Sequence, residues 1–140
     1  MSLTKDQMFL SPFLGYFLLV AFLYAWLTYE RQVAVFKKEV KVADFVNAGA
    51  DPLRSKRIAR NLANQFELPV FALFAALILY MSGKVEIISI CAAWLFLTGR
   101  LIHTLVQTLS NNIPLRGIVF MINFIAVMVL MTRVALMVFA

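Results

Sequence analysis

The chain has 140 residues, 63% of them hydrophobic, with a mean hydropathy of +0.88, more apolar than soluble domains usually are and long enough for one domain only, residues 1–140. Its net charge of +6 does not point to nucleic acid, because eight of the thirteen basic residues fall between Arg31 and Arg60 and no glycine-rich phosphate loop or RNA-binding signature accompanies them. With one His and one Cys, the chain offers no zinc constellation, and no metal is expected.

The first predicted element is a spanning helix over residues 9–29, with Pro12 tolerated near its start. A long basic connection follows, carrying Arg31, Lys37, Lys38 and Lys41. The next helix covers residues 52–82 and becomes apolar enough to span from about residue 60; its first turns carry Arg54, Lys56, Arg57 and Arg60. Gly83 marks a turn. A third helix runs over 85–109, with its span over 85–105. "SNNIP" at 110–114 breaks it, and Pro114 suits the first turn of a fourth helix over 114–139. These elements predict an all-α membrane protein, a bundle of four antiparallel transmembrane helices.

The basic connection assigns the cytoplasmic side by the positive-inside rule and attracts anionic lipid headgroups. Both termini and the turn at 82–84 then face the non-cytoplasmic side. Cys91 lies in an apolar run and reads as a small packing residue.

Polar residues interrupt the spans at one depth. Arg57, Arg60, Asn64 and Glu67 are spaced 3, 4 and 3 apart, which stacks them on one helix face. Arg100, His103 or Thr104, and Gln107 form a matching stripe on the third helix. Arg116 opens the fourth helix, with Asn123 two turns further in. A charge in the bilayer interior costs roughly 2.5–3.5 kcal/mol, so such residues pair or line a wet cavity. Glu67 and Arg100 are the expected pair. Arg57 and Arg60 fit snorkelling to headgroups equally well, and His103 fits a hydrogen-bonded packing role. Pro69 removes a backbone donor and obstructs the carbonyl of Gln65, so a kink is expected at the depth of Glu67.

Arg60, Asn64 and Glu67 with Pro69 close behind, then Arg100, His103 and Thr104, then Asn112, Pro114 and Arg116, together resemble the MAPEG family, the membrane-associated proteins in eicosanoid and glutathione metabolism. "NQFELPV" looks like the bacterial branch, which implies a bacterial inner membrane. The resemblance implies a homotrimer with glutathione as co-substrate, held between subunits near the cytoplasmic side. It makes Arg116 the catalytic residue that holds the thiol as thiolate. Glu67 matches the acid that engages the glutathione amino group, and Asn64 its neighbour. His103 matches a histidine beside the peptide, and Arg60 and Arg100 match arginines that order the polar centre or hold carboxylates.

The chain departs from the family pattern at Ala63, where a second arginine is usual, and at Gln107, where a tyrosine is usual in the glutathione site. It also has Gly117, where some members carry serine. The activity this implies is a glutathione-dependent transferase or peroxidase acting on lipophilic electrophiles that arrive through the bilayer. The alternative is a non-catalytic trimer of the same fold that binds a lipid or a partner.

Overall fold

A computed structural model describes residues 3–47, 49–110 and 112–139. Helix α1, Lys5–Phe36, opens on a reciprocal cap: Thr4 Oγ1 accepts the Gln7 N–H, and Gln7 Oε1 accepts the Thr4 N–H. It extends beyond the predicted 9–29 at both ends, because apolar length fixes what a bilayer holds and not where the helical hydrogen bonds stop. A 3₁₀ turn, Val42–Val46, punctuates the connection that follows. Helices α2 (Leu53–Asn64) and α3 (Pro69–Met81) come next, then α4 (Ile87–Leu109) and α5 (Ile113–Phe139). Gly83 makes the α3–α4 turn with φ +64°. Asn112 Oδ1 accepts the Leu115 N–H at the start of α5. Asn111, within the predicted break, lies outside the described residues.

Four segments are long and apolar enough to cross a membrane: α1, α2 with α3 as one, α4 and α5. The fold is therefore the expected all-α bundle of four transmembrane helices. The second span differs from expectation in being two helices and not one kinked helix, interrupted at residues 65–68. Its cause is Pro69, which sits at the first position of α3 and has no N–H to give the carbonyl four residues back.

Both span-interior prolines leave such a carbonyl, and each is taken by an aromatic donor from another helix. Pro69 frees Gln65 O, which accepts from Tyr16 Oη of α1 at 2.5 Å. Pro12 frees Met8 O, which accepts from Trp94 Nε1 of α4 at 3.0 Å. In hydrocarbon an unmade backbone bond costs several kcal/mol, so these two contacts let the prolines stand inside spans.

Helix α4 is the hub, packing on α5 most extensively and on α1 and α2 as well. Small residues dominate its contacts and those of α3: Ala72, Ala75, Ala76, Ala92, Ala93 and Ala126 are all buried. Lipid tails are as apolar as leucine, so close backbone approach and not apolar burial selects these faces. Gly99 shows the limit: a Cβ there would lie 3.0 Å from Asn123 Oδ1 of α5. Phe96 stacks obliquely on Tyr16 of α1 with centroids 5.2 Å apart. Leu19, Leu23 and Leu27 of α1 close on Ile58 and Leu62 of α2. Large apolar side chains such as Leu14, Phe17, Phe74 and Leu77 point outward, where lipid is their solvent.

Candidate functional site

Three elements converge at the end of the bundle where α2 starts, α4 ends and α5 begins. From α2 come Lys56, Arg57 and Arg60, which recur at helical spacing on one face. From α4 comes Gln107, and from α5 Arg116. Together with Ser110 and Asn112 of the intervening turn they line an outer cavity of about 470 Å³. An inner cavity of about 400 Å³ adjoins it and is lined by Arg60, Asn64, His103, Gln107, Arg116 and Phe120, among others. Arg60, Gln107, Ile113 and Arg116 border both.

Among the described residues, neither cavity has a carboxylate in its lining. Three ion pairs among the described residues lie elsewhere: Arg31 with Asp51, Arg54 with Glu30, and Arg133 with Glu86. Arg60 and Arg116 thus line the cavities with no ion-pair partner among the described residues, a charge distribution that favours an anion.

Within the inner cavity, Asn64 Nδ2 donates to Gln107 Oε1 at 3.0 Å, fastening α2 to α4. His103 is 2% exposed, and its Nδ1 has no hydrogen-bond partner among the described residues. Its ring meets Phe120 of α5 with centroids 6.5 Å apart.

Five of the seven residues singled out in the sequence, Arg60, Asn64, His103, Gln107 and Arg116, therefore line the inner cavity together. Glu67 and Arg100 do not border it, and the pair expected between them is not formed. Helix α2 stops at Asn64, so Glu67 leaves the stripe that 3- and 4-residue spacing implied and lies exposed in the interruption. Arg100, 1% exposed, turns instead to the carbonyl end of α2. Its Nε donates to Gln65 Oε1 at 3.0 Å and its Nη2 to Asn64 O at 3.3 Å. That end carries the partial negative charge of the helix dipole, a neutral substitute for a carboxylate. Arg100 thereby holds the backbone of Asn64, one residue removed from the cavity it was expected to line.

Sequence reading also missed contributors. Phe120 of the inner lining follows Arg116 by about one helical turn, and only the packing of α5 on α4 singles it out. Lys56 was legible, since it precedes Arg60 by four residues on the same face. Gln65, whose amide also donates to Asn61 Oδ1 at 3.1 Å, and Tyr16 carry no sequence signal of their support for the α2 terminus.

A family model described as the MAPEG family matches residues 13–136 of the chain. No curated protein and no solved structure matches it.

Proposed function

The chain belongs to the MAPEG family, and from that membership we propose that it is a glutathione-dependent transferase or peroxidase acting on lipophilic electrophiles at the membrane interface. It is a multi-pass integral membrane protein of a family associated with glutathione and eicosanoid metabolism. The finer reading adds a homotrimer, a bacterial inner membrane, and a basic end of the bundle facing the cytoplasm. One observation carries the activity: Arg60 and Arg116 border both of two adjoining cavities, with no carboxylate among the described lining residues.

In this reading the peptide's carboxylates are held by Arg60 and its neighbours. Arg116 stands beside the sulfur, and a cation there lowers a thiol pKa from about 8.5 and enlarges the nucleophilic fraction. The thiol proton leaves to water at the open cationic mouth. The thiolate then forms a sulfur–carbon bond as the electrophile's leaving group departs with the bonding pair. With a hydroperoxide it attacks the terminal oxygen to give a sulfenic acid as the O–O bond breaks, and the alkoxide takes a proton from water and leaves as the alcohol; a second glutathione thiol then displaces the sulfenic hydroxyl, giving disulfide and water. Glu67 and Arg100 enter this reading differently: Arg100 positions Asn64, and Glu67 contacts ligand only from the exposed interruption.

The test is thiolate absorbance against pH for the detergent-purified protein with saturating glutathione, alongside turnover of a generic electrophile. Arg116→Ala is expected to return the bound thiol towards about 8.5, with about 1.4 kcal/mol lost per unit. Arg116→Lys is expected to rescue only in part, because an ammonium lacks the guanidinium's fork of donors. A parent protein with no glutathione-dependent thiolate signal defeats the enzymatic reading. A non-catalytic lipid- or partner-binding trimer then takes its place. The features in its favour are that Gln107 is already engaged by Asn64 and that Gly117 offers no hydroxyl.

A further inference from the structure

The outer cavity carries more positive charge than a thiol peptide uses. Lys56, Arg57, Arg60 and Arg116 all line it, with no carboxylate among the described lining residues. Glutathione presents two carboxylates against one ammonium, so it offsets only part of that charge. Lys56 and Arg57 border the outer cavity alone and are not part of the inner one.

The rim differs from the floor. Leu53 and Ile113, which also border the outer cavity, are 67% and 68% exposed. Apolar side chains beside a cationic floor, at the level where α2 and α5 begin and α4 ends, match the boundary between acyl chains and headgroups. Guanidinium groups bind phosphate oxygens through paired N–H donors, and basic pockets between transmembrane helices take anionic headgroups.

We propose that the outer cavity binds a phosphate group, supplied as the headgroup of an anionic phospholipid whose acyl chains pass over Leu53 and Ile113. Arg60 and Arg116 border this site and the thiol site alike, and the two are separable at Lys56 and Arg57, which border the outer cavity alone.

The full-length protein in phosphatidylcholine nanodiscs containing a minority of phosphatidylglycerol, without glutathione, is released and its retained lipids counted by native mass spectrometry. Phosphatidylglycerol is expected to be retained over phosphatidylcholine by at least about tenfold, the size of a charge-assisted contact. The double substitution Lys56→Gln/Arg57→Gln is expected to abolish that preference. Lys37→Gln/Lys38→Gln removes the same charge from the nearby connection and is expected to preserve it. Lys56→Gln alone, at an exposed position, keeps the test available if the first double variant fails to fold, and is expected to reduce the preference. Equal loss in both double variants overturns a built site in favour of diffuse attraction. So does phosphatidylglycerol retained no better than phosphatidylcholine. Inorganic phosphate forms the second arm: displacement of the lipid by phosphate at equal concentration overturns the lipid source, and failure to displace it supports the headgroup.

Discussion

A proline inside a spanning helix frees the carbonyl four residues behind it, and here two aromatic side chains answer that need. Trp94→Phe removes the donor to Met8 O and is expected to cost about 1–3 kcal/mol, the penalty of an unsatisfied polar group. Pro12→Ala restores an N–H within α1, so the double variant should recover much of that loss. A double-mutant cycle from unfolding in mixed micelles measures the coupling, and strict additivity would refute the account. Tyr16→Phe should act in the same way on Gln65 O. Glu67, exposed and without an ion pair among the described residues, gives the opposite expectation. Glu67→Gln should change stability by no more than about 0.5 kcal/mol; a larger loss in the same unfolding assay would restore it to the structural core.

Among the elements, the connection between α1 and α2 depends on one tether. Arg31 donates from Nε and Nη2 to the two carboxylate oxygens of Asp51 at 2.8 and 2.7 Å, and its guanidinium also lies over the Phe45 ring at 5.2 Å. The bond to Arg31 holds the Asp51 carboxyl below its ordinary value of 3.8. A depressed carboxylate stabilises fully above its unfolded pKa and loses that contribution as pH falls through the lower folded one. The tether should therefore stay closed from neutral pH down to about 4, and open only below that range. Asp51→Asn should open it at all pH values, at a cost of about 0.5–1 kcal/mol for a partly exposed pair. Faster hydrogen exchange over residues 41–47 in the variant at neutral pH is the readout, and unchanged exchange would show that the connection is held by other contacts.

At the scale of the whole molecule, four spans place both termini on one side. The basic residues of the first connection and of the cavity lie at the other end, so that end should face the cytoplasm. A single cysteine at Ser82, in a Cys91→Ser background because Cys91 is exposed, should react from the non-cytoplasmic face only. Labelling from the cytoplasmic face of inverted vesicles would reverse the assignment. The cavity also lies among outward-facing apolar side chains, as expected for a site completed by a neighbouring subunit. Native mass spectrometry of the detergent-purified protein should then give a trimer.

Apolar run length and the clustering of arginine and lysine determined the membrane class, the four spans and the basic end, because each is a property of local composition that the bilayer reads directly. Helical spacing likewise placed Arg60, Asn64, His103 and Gln107 on facing stripes, and Arg116 at a helix start. Tertiary structure alone decided the rest. Regular spacing predicts a continuous face only while the helix continues, and the interruption after Asn64 took Glu67 out of the stripe. Arg100 had to satisfy five donors in a buried place, and the nearest acceptors were the carbonyl end of α2 and Gln65. Tyr16 and Trp94 found their carbonyls across 49 and 86 residues of sequence. No local pattern encodes such a meeting, since it depends on how the helices pack.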